Sequence, residues 1–376
     1  MKERTQRNII LYLFILLLLF PLLLQVTKHK EIRALKGAVV MAEKPTFTAK
    51  EWFSGEYQSR YEQYVNDRLE IRSWFVRIRN QIAYTFFNEA KARYVVRGKE
   101  GYLYEQNYIK AINGEDYLGS VVIKNRVDSL WQLQEQLAER NKTLIVLIAP
   151  GKGTYYQEFI PDDLLKSKTD STNYKQYTKA LGKAGINTID YNAWFLQMKD
   201  TCDCILYPKY GIHWSHYGML LATDSLIHYI EQKRSIQMPQ LVVGKIKKSR
   251  TLKHYDYDIG SGMNLMFQMP SDPMCYPEFY FKGDSSAVKP KTLVCADSFY
   301  WLMFNIGFGN SSLDYGGFWF YNNSIYPDSF EKATTAKDLD MKEQLMQNDV
   351  VILMTTEANL HKFSWGFVKN ALVALQ

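Results

Sequence analysis

The hydrophobic pattern opens on an uncharged run, Ile9 to Val26. It sits at the short end of the roughly 17–25 residues that cross a bilayer as a helix. A cleaved signal peptide would place small residues in an A-x-A-like pattern just after the run. Lys28, Lys30, Arg33 and Lys36 follow instead, so residues 1–27 read as an uncleaved signal anchor and 28–50 as a tether. Lys2, Arg4 and Arg7 on the near side oppose these bases, and charge alone leaves the orientation open. From Trp52 to about Ala92 the periodicity is helical, with Tyr61, Tyr64, Leu69, Ile71, Phe75, Ile78, Ile82 and Phe86 between charges. Arg93 to Tyr104 reads as strand–turn–strand around Gly98 and Gly101.

Beyond that point the pattern alternates. Val121–Arg140 predicts a helix striped by Val127, Leu130, Leu133 and Leu137, and Leu144–Ala149 a strand buried on both faces. Helical stretches at Tyr174–Ala184, around Trp194 and at Ser215–Gln232 flank a short strand at Asn187–Asp190. Lys291–Ala296 and Asp349–Met354 predict two more strands, and a last helix starts near Asn359. This alternation predicts a three-layer α/β fold with a mostly parallel sheet over 51–376, carrying a helical N-terminal extension. In such sheets the chemistry lies at the carboxyl ends of the strands.

Composition narrows the field. A hydrophobic content of 47% supplies a core, and the net charge of +7 is spread along the chain rather than gathered into a patch that would hold nucleic acid. Of the four cysteines, Cys202 and Cys204 have the wrong spacing for a zinc knuckle, so no metal is expected. A disulfide is permitted in an oxidising compartment, and Cys295 reads as a buried free thiol.

Two residues stand out for chemistry. Ser298 follows the strand ending at Ala296, where a strand-to-helix turn can present Oγ at the sheet edge and aim the backbone N–H at an oxyanion. The plain alternative is an Asp-Ser helix cap. His213 lies in the loop Tyr210-Gly211-Ile212-His213-Trp214-Ser215, where a packing role competes with that of a base accepting the Ser298 proton.

These blocks resemble a known family. Asp297-Ser298-Phe299 resembles the nucleophile block of SGNH hydrolases, and Gly211-Ile212-His213-Trp214 resembles the Asp-x-His-Trp block of the SGNH-like alginate O-acetylation proteins (the AlgJ/AlgX group). Asn66-Asp67-Arg68, Gly98-Lys99-Glu100-Gly101-Tyr102-Leu103-Tyr104, Ala149-Pro150-Gly151-Lys152 and Asp258-Ile259-Gly260 resemble further segments of that group, in order. The resemblance implies a flavodoxin-like SGNH fold outside the cytoplasmic membrane. It also implies Ser298 and His213 as catalytic residues, a polysaccharide acceptor, no soluble cofactor, and acetyl delivered through a membrane-bound O-acyltransferase.

One position departs from the family. Two residues before His213, where the group has its triad Asp, stands Gly211. The expectation is a Ser–His dyad, with a backbone carbonyl or an acid from elsewhere orienting the imidazole. Asp203 and Asp224 are the nearest acids in sequence, Asp297 reads as a structural cap, and Asn264 and Asn305 are candidate oxyanion donors. Three functions are consistent with these residues: polysaccharide O-acetyl transfer, acetyl-ester hydrolysis, and a degenerate scaffold that binds polysaccharide or the acyltransferase.

Overall fold

The computed structural model describes residues 2–26, 34–37, 41–69, 71–166 and 171–376. The chain divides into two units, Met1–Arg93 with Gly260–Met269, and Tyr94–Ile259 with Pro270–Gln376. Residue 27 of the expected anchor and residues 28–33 and 38–40 of the expected tether lie outside the described residues.

The first unit is helical: α1 (Lys2–Val26), α2 (Ala49–Ser54), α3 (Glu56–Arg68) and α4 (Arg72–Phe86). Thr48 starts α2 by accepting the Glu51 N–H at 3.2 Å, and Gly55, in the left-handed region at φ 81°, ends it. The expected helical periodicity is realised as three helices, α2, α3 and α4. The apolar run folds as α1, with its side chains from Ile9 to Phe20 exposed. Among the described residues no helix is long and apolar enough to cross a membrane.

Among the described residues the second unit carries ten strands. In chain order they are β1 (Val95–Arg97), β2 (Leu103–Glu105), β3 (Thr143–Ala149), β4 (Thr188–Asp190) and β5 (Gln240–Ser249). There follow β6 (Met274–Lys282), β7 (Lys291–Ala296), β8 (Asp314–Phe320), β9 (Ser324–Tyr326) and β10 (Val350–Thr356). Six of them form one sheet in the order β4-β3-β10-β7-β8-β9, parallel throughout except for the β8–β9 pair.

The centre of that sheet is dictated by the sequence. Leu144 to Ala149 and Val350 to Met354 are buried on both sides of the pleat, as unbroken apolar strands must be when helices cover both faces. On one face Leu144, Val146 and Ile148 join Val127, Leu130 and Leu133 of the helix Ser120–Ala138 in a single core. Side chains also fix the helix starts next to the sheet edge. Asp190 accepts the Ala193 N–H at 3.0 Å at the head of Tyr191–Met198, and Ser215 accepts the Gly218 N–H at 3.0 Å at the head of His216–Arg234.

The structure adds elements that the pattern did not announce. β5 and β6 form an antiparallel hairpin, irregular between Val243 and Ile246. Its outer positions are exposed, and Pro277 within β6 speaks against a strand when read locally. Gly316 and Gly317 hide β8 in the same way. The last helix begins at Phe367, because Glu357–Gly366 forms 3-10 turns with Ser364 and Trp365 at positive φ.

Cys204 and Cys275 form a disulfide, and Cys295 is a buried free thiol. The bridge closes a loop that includes both His213 and Asp258. Cys275→Ser should lower the unfolding free energy by about 2–5 kcal/mol in urea titrations. Dithiothreitol should then destabilise the parent protein and leave the variant unchanged.

Candidate active site

β7 ends at Ala296, and the next two residues turn away from the sheet. Asp297 is fully buried and pins this turn. Its Oδ1 accepts the Phe299 N–H at 3.1 Å, while Oδ2 accepts the Thr356 N–H at 2.7 Å and the Asn359 amide at 3.0 Å. The turn after β7 is thus tied to the end of β10, which leaves the neighbouring Ser298 side chain at the carboxyl edge. Asp297 is structural, as the sequence suggested.

The loop bearing His213 is held by aromatic packing. Trp214 is buried against the rings of Tyr191, Phe195 and Phe299, and His213 lies between Phe299 and Tyr255 with ring centroids 4.8 and 5.2 Å away. Its Nε2 is 2.8 Å from Ser298 Oγ. Its Nδ1 is 2.5 Å from Asp258 Oδ2. An ionised carboxylate only accepts, so the proton belongs on Nδ1 and Nε2 is free to accept from the serine hydroxyl.

The imidazole is therefore oriented by a third group, and of the arrangements the sequence left open the structure holds the acid from elsewhere. Asp258 comes from a segment 45 residues after His213. Its Oδ1 accepts the Ile212 N–H at 2.8 Å and the Ile259 N–H at 2.6 Å, so the carboxylate fastens the backbone of the histidine loop as well as the ring.

Gly211 makes this possible. A Cβ there would lie 2.4 Å from the Tyr255 carbonyl oxygen and 2.7 Å from Pro208 Cγ. The segment that delivers Asp258 passes directly over the position where the related proteins carry their Asp. Gly211 is not at positive φ; close approach, not backbone conformation, requires it.

Lys152, in the Pro-x-Lys segment after β3, is completely buried. Its ammonium donates to the carbonyl oxygens of Pro208, Lys209 and Gly211 at 2.9, 2.8 and 2.6 Å, which uses all three of its protons on the histidine loop. Burial pushes its pKa down to about 7, against the pull of the Asp258 and Glu105 carboxylates. Glu105, at the end of β2, is raised by burial and by Asp258. Tyr321 stands just past β8 at φ 53°; burial and then Asp297 raise its phenol to about 12.

The two candidate oxyanion amides are engaged elsewhere. Asn264 exchanges hydrogen bonds with the Lys36 backbone at 2.8 and 2.9 Å, and Asn305 donates to the Tyr255 hydroxyl at 3.3 Å. Asp203 and Asp224 are also not at the site: Asp224 pairs with His228 at 3.7 Å, and Asp203 offers its backbone carbonyl to Lys248. Among the described residues no cluster of His, Cys, Asp or Glu is arranged to hold a metal.

A parallel-sheet α/β unit with Ser, His and Asp linked in series at its carboxyl edge is the arrangement of the serine acyl-transfer enzymes. Within that class, residues 95–252 match the family described as "SGNH hydrolase-like domain, acetyltransferase AlgX". That stretch is similar to the group whose motifs the sequence resembles. The match includes Lys152 and His213 and stops before Asp258 and Ser298. Solved structures similar to the chain include the O-acetyltransferase domain of Pseudomonas putida AlgJ, with 13% identity, 73% of this chain and 98% of that chain covered, and a TM-score of 0.48. Pseudomonas aeruginosa AlgX is similar at 13% identity over 77% and 71% of the two chains, with a TM-score of 0.46. Bacillus cereus PatB1 is similar at 13% over 71% and 96%, with a TM-score of 0.41. No curated protein sequence matches.

Two predictions come from this geometry. Gly211→Ala should destabilise the protein by about 1–3 kcal/mol and slow phosphonylation of Ser298 by a fluorophosphonate. Gly211→Asp, which restores the related proteins' spacing, should be slower still. Equal labelling rates in all three would mean that the Asp258 segment gives way freely.

The second concerns Asp256, which is buried and accepts the Tyr276 hydroxyl at 2.7 Å. Burial outweighs that hydrogen bond and, with neighbouring Asp258, pushes the carboxyl up to about 7. The native state then keeps its proton to higher pH than the unfolded chain, so this group's contribution to stability falls as pH rises from about 4 through 7. Asp256→Asn should match the parent below about pH 4 and exceed its melting temperature near pH 8.

Proposed function

We propose that the chain is a membrane-anchored, extracytoplasmic O-acetyltransferase that esterifies hydroxyls of a surface or exopolysaccharide through an acetyl-Ser298 intermediate. The observation that carries this reading is the unbroken series Ser298–His213–Asp258. The AlgX-type match over 95–252 supports acetyl transfer as the reaction.

In the first half-reaction Ser298 Oγ attacks the acetyl carbonyl while its proton passes to His213 Nε2. Asp258 holds the imidazolium that results. In this reading the Ser298 backbone N–H, at the strand-to-helix turn, meets the oxyanion. The tetrahedral intermediate collapses, the donor's leaving group takes the proton from His213, and acetyl-Ser298 remains. In the second half, His213 removes the proton of a sugar hydroxyl as that oxygen attacks the ester. Collapse then gives the acetylated sugar and free Ser298, which recovers its proton from His213. Esterase and transferase differ only in whether water or a sugar hydroxyl takes the acetyl. A membrane-bound O-acyltransferase is the acetyl source in this reading.

The anchor reading rests on the exposed apolar side chains of Ile9 to Phe20 in α1 and on the bases that follow in the sequence. The full chain should remain with membranes through a carbonate wash, with its N-terminus intact. Recovery of a soluble form beginning near residue 43 would exclude it.

Ser298→Ala should abolish turnover of a small acetyl ester, and acetyl should be found by mass spectrometry on Ser298 of the parent alone. Asp258→Asn should reduce turnover by about ten-thousand-fold, the loss that follows when a serine protease keeps its geometry and loses its carboxylate. An Asp258→Asn enzyme close to parent activity would remove the carboxylate from the mechanism.

A further inference from the structure

Helix α4 is built with its polarity reversed. Its buried positions are Arg77, Asn80 and Ala83. Its outward face carries Trp74, Phe75, Ile78, Ile82 and Phe86, between 40% and 76% exposed. The polar side is not accidental: Arg77 donates to the carbonyls of Ser73 and Ala34, and Asn80 donates to the Met263 carbonyl at 2.9 Å. Those bonds fix the helix with its apolar stripe outward. Phe267, whose N–H is bonded to the Gln81 side chain, adds another ring that is 72% exposed.

We propose that this face of α4 lies in the interfacial layer of an anionic lipid bilayer, parallel to its plane. Three observations select lipid over a protein partner. Of the arginines of α4, Arg77 is on the buried side and Arg72 pairs with Asp67 at 3.3 Å, while Arg79 is exposed among the apolar side chains. A second copy of the same face would bring cation against cation, whereas anionic head groups complement it. A helix of this length, with aromatic and aliphatic groups on one side and Arg within reach of head groups, has the composition of helices that lie in the membrane plane. The third observation is reach: residues 27–48 connect α1 to α2 and span at most roughly 75 Å. The proposal rests on the anchor reading of α1. It goes beyond that reading by making the membrane contact two-point, which confines the helical unit to the bilayer surface instead of leaving it on a free tether.

The test uses the full chain with Cys202→Ser, so that Ile78→Cys can be labelled with an environment-sensitive fluorophore. The labelled protein is reconstituted into phosphatidylcholine–phosphatidylglycerol vesicles. Expected are a blue-shifted emission and its loss when spin-labelled lipid is included. The same label at Lys124→Cys, on the exposed side of Ser120–Ala138, should show neither. Phe75→Glu with Ile82→Glu, both at exposed positions, should abolish the quenching while the chain still floats with the vesicles. Flotation without quenching at residue 78 overturns the lipid contact and leaves the anchor standing. Failure to float overturns both. Equal quenching at residues 78 and 124 overturns the assignment to this face. A label unquenched in vesicles but shielded in native membranes overturns it in favour of a protein partner.

Discussion

The site depends on how closely two backbone segments meet at Gly211. With only hydrogen there, the Tyr255 carbonyl and the start of the Asp258 segment can close over the histidine loop. Asp258 then reaches the Ile212 N–H with one oxygen and His213 with the other. A side chain at 211 would separate the segments by the width of a methyl group, and a hydrogen bond does not survive that displacement. The residue that departs from the family motif is therefore also the one that admits the replacement carboxylate. Gly211 and Asp258 form a compensating pair whose effects on activity will not add.

Around that contact the fold spends buried charge on precision. Lys152 is an ammonium with no exposed surface, bound to three carbonyls of a single loop. Glu105 and Asp258 stand close enough to stabilise its charge. Buried ionic groups contribute little net stability, because desolvation offsets their attraction. Their value here is geometric: the loop of His213 is held from below by Lys152, from the side by Asp258, and by the Leu103 N–H, which donates to the Lys209 carbonyl at 3.1 Å. A general base must stay within hydrogen-bond reach of its nucleophile, and this scaffold enforces that distance before any substrate arrives.

The helical unit obeys a different constraint. In the sheet-bearing unit apolar periodicity coincides with burial, so the stripe of the helix Ser120–Ala138 enters the core. In α4 the same kind of periodicity points outward, and the hydrogen bonds of Arg77 and Asn80 lock that choice. Hydrophobic spacing fixes which residues share a helix face. What that face meets is decided by the polar groups on the other side.

Much of the site was legible in the chain itself. An unbroken apolar strand running into Asp297-Ser298 places a hydroxyl at a sheet edge, because a strand buried on both faces can only end there. His213 between Gly211 and a buried Trp was recognisable by motif. Helices and strands near the sheet centre were readable because both depend on local periodicity. The third member of the series was not readable. Asp258 stands in a segment that resembles the family's, yet nothing local marks it as the partner of a histidine 45 residues earlier. The hairpin β5–β6 and its disulfide escaped for the same reason, since their pairing is long-range and their outer face is exposed. Sequence alone determined the elements and the two side chains that motif and strand end announce. Tertiary structure alone decided which carboxylate completes them, because that depends on two remote backbones approaching within the space of one missing Cβ.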